Sequence, residues 1–181
     1  KSVTEDIVKD IISKIENSDK RNKDVIMIYG DYHEGVLGIV ASNIVERYQR
    51  PVLIMTNKDG ILKGSARSIF DFNIYTAVKK IGDKFIAYGG HTLAAGFSFE
   101  ENNFETIEEE LNKDFAEYKN TNELKSTKTI DIVTSLEEMS YQFLNSLDAL
   151  KPYGMDFEKP TILLENAKIL DKAYFGAEKQ Y

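Results

Sequence analysis

The sequence predicts an α/β fold with a mixed sheet and crossover helices, and three observations indicate it. Residues 24–30 and 51–56 are short, continuously apolar runs, the pattern of strands buried on both faces. A stretch with helical periodicity at 36–48 separates them, so the two strands should be parallel and joined by a right-handed crossover. The NKDG segment at 57–60 is a hairpin signal, which leads into a third strand at 61–67.

Three further helices follow from apolar residues at helical spacing behind a capping residue. They start near Thr4, Asn73 and Asn103. Between the last two, the segment 88–100 is rich in small residues, and its end alternates like a strand. The alternation of helices and strands therefore continues to about residue 118.

The domain organisation follows from a change in composition. Residues 119–128 (KNTNELKSTK) are polar and weakly patterned, which is typical of a boundary. We expect a connecting helix at 1–23, an α/β domain at 24–119, and a second, incomplete unit at 128–181.

The second unit has the pattern of a partial α+β segment. Residues 129–133 and 160–170 alternate as strands. Ser135 and Glu138 form a capping-box pattern for a helix that reaches about Leu150.

Composition excludes several kinds of chemistry. The 181 residues include no Cys and only two histidines, so disulfides, thiolate catalysis and multi-histidine metal centres are excluded. No apolar run reaches the roughly 18 residues of a membrane span, and no secretory signal is visible at the start. We therefore expect a cytoplasmic protein with no membrane partner.

The net charge of −7 argues against a protein that coats nucleic acid through bulk electrostatics. The charge is uneven, however. Residues 25–100 carry 8 Lys and Arg against 7 Asp and Glu, whereas the rest carries 15 against 23. Any site for an anion should therefore lie in the nearly neutral middle of the chain.

Gly89, Gly90 and His91 form the first candidate site. Glycines allow a ligand to approach the backbone, successive amides can form an anion-binding nest, and a histidine can donate to a phosphate. The alternative is a tight turn with a surface histidine, followed by small residues that pack a helix on a sheet.

Two other segments could bind phosphate. One is the end of a predicted strand, where Arg67 lies beside Ser65 and Ser68. The guanidinium of Arg67 can donate two parallel hydrogen bonds to a phosphate, and the serine hydroxyls are further donors. Arg67 could equally form a surface ion pair. His33 follows the first strand, a common ligand position in parallel sheets, but it could simply cap the next helix.

Two remaining groups have weaker signals. The basic cluster of Lys79, Lys80 and Lys84 is typical of a solvated face. Five aromatic residues could stack bases or could belong to the core. They are Tyr29, Tyr32, Phe70, Phe72 and Tyr88.

Three segments occur in an order that is more specific than any one of them: DYHEGVLGIVASNIVERYQRP, LKGSARS and YGGHTLAAGFSF. Together they resemble the DHHA1 domain of the DHH phosphoesterase superfamily, and most closely the RecJ family of single-stranded-DNA-specific exonucleases. Tyr32 replaces a usual Trp, and residues 147–160 resemble the segment that leads into the OB-fold domain of that family.

The resemblance implies that the chain is a C-terminal part of a longer 5′→3′ exonuclease acting on single-stranded DNA. A DHH domain outside this chain would hold Mn²⁺ or Mg²⁺, and this part would have no cofactor or metal and no activity alone. The resemblance implies a phosphate-binding role for a set of residues, with His91 also assisting protonation near the scissile bond. The set is Arg67, Ser68, Ser65, Gly89, Gly90, His91 and, as a secondary candidate, His33.

Two alternatives remain open at this point. One is a DHH/DHHA1 phosphodiesterase acting on oligonucleotides or cyclic dinucleotides. The other is a stand-alone module that binds nucleic acid without cleaving it.

Overall fold

The computed structural model of the chain describes residues 2–69, 72–122, 129–154 and 157–171. The chain divides into two compact units, Lys1–Lys125 and Ser126–Tyr181. In the first unit the elements, in chain order, are α1 (Ser2–Glu16), β1 (Ile26–Gly30), α2 (Leu37–Tyr48), β2 (Val52–Lys58), β3 (Ile61–Arg67), α3 (Ile74–Lys80), β4 (Ala87–His91), β5 (Ala94–Glu100) and α4 (Phe104–Thr121).

The first unit is built on a five-stranded mixed sheet with the order β1-β2-β3-β5-β4. Strands β1 and β2 are parallel and are joined through α2, whereas the other three pairings are antiparallel. The predicted mixed sheet with a crossover helix is therefore confirmed. The predicted hairpin is also present, with Asp59 and Gly60 in left-handed backbone conformation between β2 and β3.

The sheet has a hydrophobic core on each side. On one side, α1 and α2 pack on β1 and β2 through Ile11, Ile15 and Ile44 among others. On the other side, α3 and α4 cover the sheet with a larger core that includes Phe99 and Phe115. Because side chains alternate along a strand, β1 and β2 contribute to both cores, whereas β3 and β5 contribute only to the second.

The glycine-rich segment forms an edge hairpin in which the exposed His91 adjoins a two-residue turn at 92–93, closer to the predicted tight turn with a surface histidine than to an anion-binding nest. Gly89 and Gly90 lie within β4, where they pair with Gly96 and Ala95 of β5. Gly90 has φ of 154°, and a Cβ there would lie 2.2 Å from the Ala94 carbonyl oxygen. Glycine at position 90 is therefore required by the close approach of the two hairpin strands.

In its described residues, the second unit contains a parallel pair of short strands, β6 (Ile132–Thr134) and β7 (Ile162–Leu164), and the helix α5 (Tyr141–Asp148). The predicted strand at 160–170 is too long, because pairing ends at Leu164. The predicted capping box is also wrong. Glu138 accepts from the Ser135 amide in a turn, while the Ser140 hydroxyl accepts from Phe143 N and begins the helix.

Candidate nucleic-acid interface

On the side that carries α1 and α2, helix α2 lies over β2 and borders β3, and the sheet beyond that border is uncovered. The surface there consists of exposed or half-buried residues. We call this surface the open face. It comprises Lys63, Ser65 and Arg67 of β3, Ala94, Gly96 and Ser98 of β5, and Ala87, Gly89 and His91 of β4.

Backbone pairing arranges the open face in rows across the strands. Arg67 pairs with Ala94, and Ala94 pairs with His91. Since neighbouring strands are about 4.8 Å apart, the Cα atoms of Arg67 and His91 are about 10 Å apart. Two long side chains at that separation can contact a single anion between them.

Two glycines, Gly89 of β4 and Gly96 of β5, expose their backbone on the open face. Gly96 is exposed although β5 is flanked by a strand on each side. A Cβ built on Gly89 or on Gly96 would meet no atom within 4 Å. A ligand can therefore approach the peptide groups of β4 and β5 directly.

Arg67 is the main cationic group of this surface. It is half-buried, and its Nη1 donates to the Ala66 carbonyl at 2.9 Å. Among the residues that the structure describes, no carboxylate lies within ion-pair distance of its guanidinium. The predicted alternative of a surface ion pair therefore has no support in the described part of the chain, and most of the guanidinium donors remain for a ligand.

Gly38, the second residue of α2, provides the space that the guanidinium occupies. A Cβ at this position would lie 2.7 Å from Nη2 of Arg67 and 3.6 Å from the Ser65 hydroxyl. The N-cap residue of α2, Val36, supplies no side-chain hydrogen bond. The Arg67 guanidinium thus lies against the first turn of α2, close to the Ser65 hydroxyl.

His33 lies apart from Arg67, on the segment between β1 and α2. Its Nδ1 accepts from the Gly35 amide at 3.1 Å, which caps a short 3-10 turn at Glu34–Val36. The capping alternative is therefore correct for the Nδ1 atom. Its exposed ring also lines a polar cavity of about 640 Å³ with Thr56 and Lys58.

The neighbouring residue, Tyr32, anchors this segment to α1. The buried Tyr32 hydroxyl donates to Asp10 at 2.6 Å and accepts from the Lys14 ammonium at 2.7 Å. The carboxylate of Asp10 is also bonded to Lys14, and the bonds from Lys14 and then Tyr32 hold the pKa of Asp10 below its usual value. The family pattern has a tryptophan at this position. The Tyr32 hydroxyl, which a tryptophan lacks, therefore binds the segment between β1 and α2 to α1.

The structure corrects the prediction for Ser68. Its hydroxyl donates to the Phe72 carbonyl at 2.8 Å in a buried position, and its amide donates to the Leu93 carbonyl. Ile74 N donates to the adjacent Thr92 carbonyl. Ser68 therefore holds the β4–β5 turn beside Arg67, whereas Ser65 carries the hydroxyl that lies on the open face.

The weaker candidates lie elsewhere. Lys80 pairs with Asp114 of α4, on the opposite side of the sheet. Tyr29 packs edge-on against Phe104, and Phe72 packs in the core against Phe115. The last of the described aromatic candidates, Tyr88, packs against Phe85 and Tyr75, and Phe70 lies outside the described residues.

Sequence reasoning missed two residues of this surface. Gly38 belongs to the first of the three family segments, but the sequence cannot show its contact with Arg67, because that contact depends on how α2 lies over β3. Lys63 was not singled out, although its spacing of two and four residues from Ser65 and Arg67 places all three on one face of a strand. That period of two was the available signal.

In the described ranges, no three His, Asp or Glu side chains are close enough to hold a metal ion together. The described part of the chain therefore offers no group of ligands that fits the Mn²⁺ or Mg²⁺ implied by the resemblance. Among the same residues, no helix is both long and apolar enough to span a membrane.

Comparison with known families identifies the fold of the first unit. Residues 4–117 match the DHHA1 domain. This chain belongs to the DHHA1 domain family. Residues 130–181, which follow the DHHA1 domain, match the RecJ OB domain, so the resemblance to RecJ proteins is confirmed over both parts of the chain.

Individual relatives agree with this assignment. The chain is 30% identical over 159 residues to the single-stranded-DNA-specific exonuclease RecJ of Bacillus subtilis, covering 87% of this chain and 20% of that protein. It is 35% identical over 139 residues to RecJ of Salmonella typhimurium, covering 74% and 24%. The crystal structure of RecJ from Thermus thermophilus in complex with Mn²⁺ matches with a TM-score of 0.72 and 26% identity, covering 88% and 23%.

The chain thus spans about a fifth to a quarter of the length of these curated relatives.

Proposed function

We propose that this chain is the nucleic-acid-binding C-terminal part of a RecJ-like 5′→3′ single-stranded-DNA exonuclease, and that the open face holds the sugar-phosphate backbone of the strand. The observation that carries the proposal is Arg67. It is a half-buried arginine with no carboxylate partner among the described residues, and it borders the exposed glycines of the open face. Such a group is suited to a phosphate, which accepts the two parallel bonds of the guanidinium fork.

The chemistry of the open face favours contact with phosphates over contact with bases. Gly89 and Gly96 let a strand lie close to the sheet, and the Ser65 hydroxyl adds a neutral donor beside Arg67. The described aromatic candidates pack elsewhere, so stacked bases have no platform on this face. Binding should therefore depend little on base identity.

His91 has an assisting role in this proposal. It is exposed at the end of β4, in the same row as Arg67, and can donate a hydrogen bond or a proton to a phosphate oxygen held between them. Gly89 and Gly90 belong to the same strand and bring the backbone to that phosphate. His33 would contact the strand farther along, from the wall of its own cavity.

The hydrolytic centre itself is proposed to lie in a DHH domain outside this chain, which would hold the Mn²⁺ or Mg²⁺. The open face would then orient the strand toward that domain. We accordingly expect the chain alone to leave single-stranded DNA intact, and the whole protein to act on DNA in the cytoplasm.

The test is a salt titration of binding to a 5′-phosphorylated oligothymidylate, followed by fluorescence anisotropy. Two or three phosphate contacts predict a slope of log K against log salt of about −1.4 to −2.1, with a Kd of about 10⁻⁴ M or weaker. Arg67→Ala should weaken binding by about 1.5–3 kcal/mol, because it removes charge-assisted hydrogen bonds.

The matched control is the double variant Lys79→Ala/Lys80→Ala, since α3 lies on the opposite side of the sheet. It removes two positive charges and should change affinity little. If the double-lysine variant loses affinity while Arg67→Ala retains it, the open face is not the DNA site.

A further inference from the structure

We propose that Lys63 is a second phosphate contact of the open face, and that Glu34 competes with DNA for it. This inference rests on the proposed function of that face. The cation is held by a carboxylate of the chain in the free protein and exchanges that carboxylate for a phosphate when a strand binds.

The position of Lys63 gives the first argument. It lies on β3 in the row formed by Thr56, Ser98 and Ala87, on the same side of the sheet as Ser65 and Arg67. Four residues of a strand separate the Cα atoms of Lys63 and Arg67 by about 13 Å. Lys63 and Arg67 lie in different rows of the sheet, so Lys63 can contact a phosphate of the same DNA strand other than the one at Arg67.

The contact with Glu34 gives the second argument. Lys63 Nζ lies 2.6 Å from Oε2 of Glu34, and the two side chains are 60% and 44% exposed. An ion pair that is open to water is weak, because solvent screens it and both side chains lose freedom. A phosphate that arrives with further contacts along the same face can replace the carboxylate.

The surroundings of Glu34 give the third argument. The hydrogen bond from Lys63 is the main influence that holds the pKa of Glu34 below its usual value, and the charges of Lys58 and His33 act in the same direction. Glu34 is thus an ionised carboxylate among basic groups, at the edge of a surface suited to anions. Arg67, by contrast, has no carboxylate partner in the described residues and needs no such exchange.

The test compares Glu34→Gln with Glu110→Gln in the same anisotropy titration. Both variants remove one negative charge, but Glu110 lies on α4, which covers the opposite side of the sheet. Because Lys63 contacts a phosphate in both the wild type and Glu34→Gln, their salt slopes should be similar, and the affinity at fixed salt is the readout. Removal of the competing exposed ion pair should tighten binding about 1.4- to 5-fold in Glu34→Gln and not in Glu110→Gln.

Two lysine variants complete the design. Lys63→Ala should make the salt slope less negative by about 0.7 in either background, because it removes one phosphate contact. It should weaken binding less in the wild-type background, where removing Lys63 also removes the ion pair that competes with DNA. Equal affinities for Glu34→Gln and Glu110→Gln would overturn the inference, as would an unchanged slope when Lys63 is removed.

Arg67→Ala, measured in parallel, distinguishes a failure of this inference from a failure of the proposed function of the open face. If it weakens binding while the Glu34 and Lys63 variants behave like the control, only this inference fails. If Arg67→Ala has no effect, the proposed function of the open face fails first.

Discussion

Gly38→Ala should separate DNA binding from stability, because the two properties should change in opposite directions. The position is helical, and replacing glycine by alanine within a helix stabilises it by up to about 1 kcal/mol. The new Cβ would lie 2.7 Å from Nη2 of Arg67, which is the far end of a flexible side chain and can move away. The fold should therefore keep or gain stability while the guanidinium is displaced.

The size of the effect follows from that displacement. To regain an ordinary contact of 3.4 Å, the guanidinium must withdraw by about 0.7 Å from the new methyl group. A hydrogen bond of about 2.9 Å that lengthens by this amount is lost. Loss of one hydrogen bond, worth about 0.5–1.5 kcal/mol, should weaken binding about 2- to 13-fold, and the loss for Arg67→Ala, about 13- to 160-fold, is the upper limit.

The assay pairs oligonucleotide anisotropy with chemical denaturation of the same samples. Asn43→Ala is the matched control, since it also improves helix propensity in α2 and lies on an exposed part of the helix. We expect both variants to be at least as stable as wild type and only Gly38→Ala to bind weakly. If Gly38→Ala binds as wild type does, the position of the Arg67 guanidinium beside α2 is not what makes the site.

Two further outcomes test the supports of the open face. Ser68→Ala leaves the buried Phe72 carbonyl without its donor and should lower the free energy of unfolding by about 1–3 kcal/mol, with oligonucleotide affinity unchanged in the folded protein. Tyr32→Phe should lower the free energy of unfolding by about 1–2 kcal/mol at neutral pH, because the hydrogen bonds of the Tyr32 hydroxyl to the half-exposed Asp10 and Lys14 are lost. Since the pKa of Asp10 is depressed in the fold, its contribution is present above its unfolded value of about 3.9 and is lost below it. The difference between wild type and Tyr32→Phe, followed by urea denaturation against pH, should therefore shrink below about pH 4; a constant difference would contradict the assigned contact.

The strands and helices of the first unit were predictable because their signals are local. Continuous apolar runs indicated β1 and β2, and the asparagine before α3 indicated its start, where Asn73 accepts from the Thr76 amide. The order of three short motifs indicated the family. In the second unit the local signals misled, because Glu138 could close a turn as well as open a helix.

The site depended on contacts between residues far apart in the sequence. The motif around Arg67 offered two serines, and their order in the chain could not show that Ser65 faces outward while Ser68 is buried against Phe72. Likewise, the pairing of β3, β5 and β4 brought Arg67 and His91 into one row.

The open face also depends on packing between elements that are far apart in the sequence. Alternation along β3 assigns Lys63, Ser65 and Arg67 to one side of the sheet, since successive side chains point to opposite faces. Alternation cannot say whether a helix covers that side. Coverage is decided by where α1 and α2 can bury their apolar side chains. They bury them on β1 and β2, and α2 also borders β3, which leaves the glycine-lined strands β5 and β4 uncovered on this side.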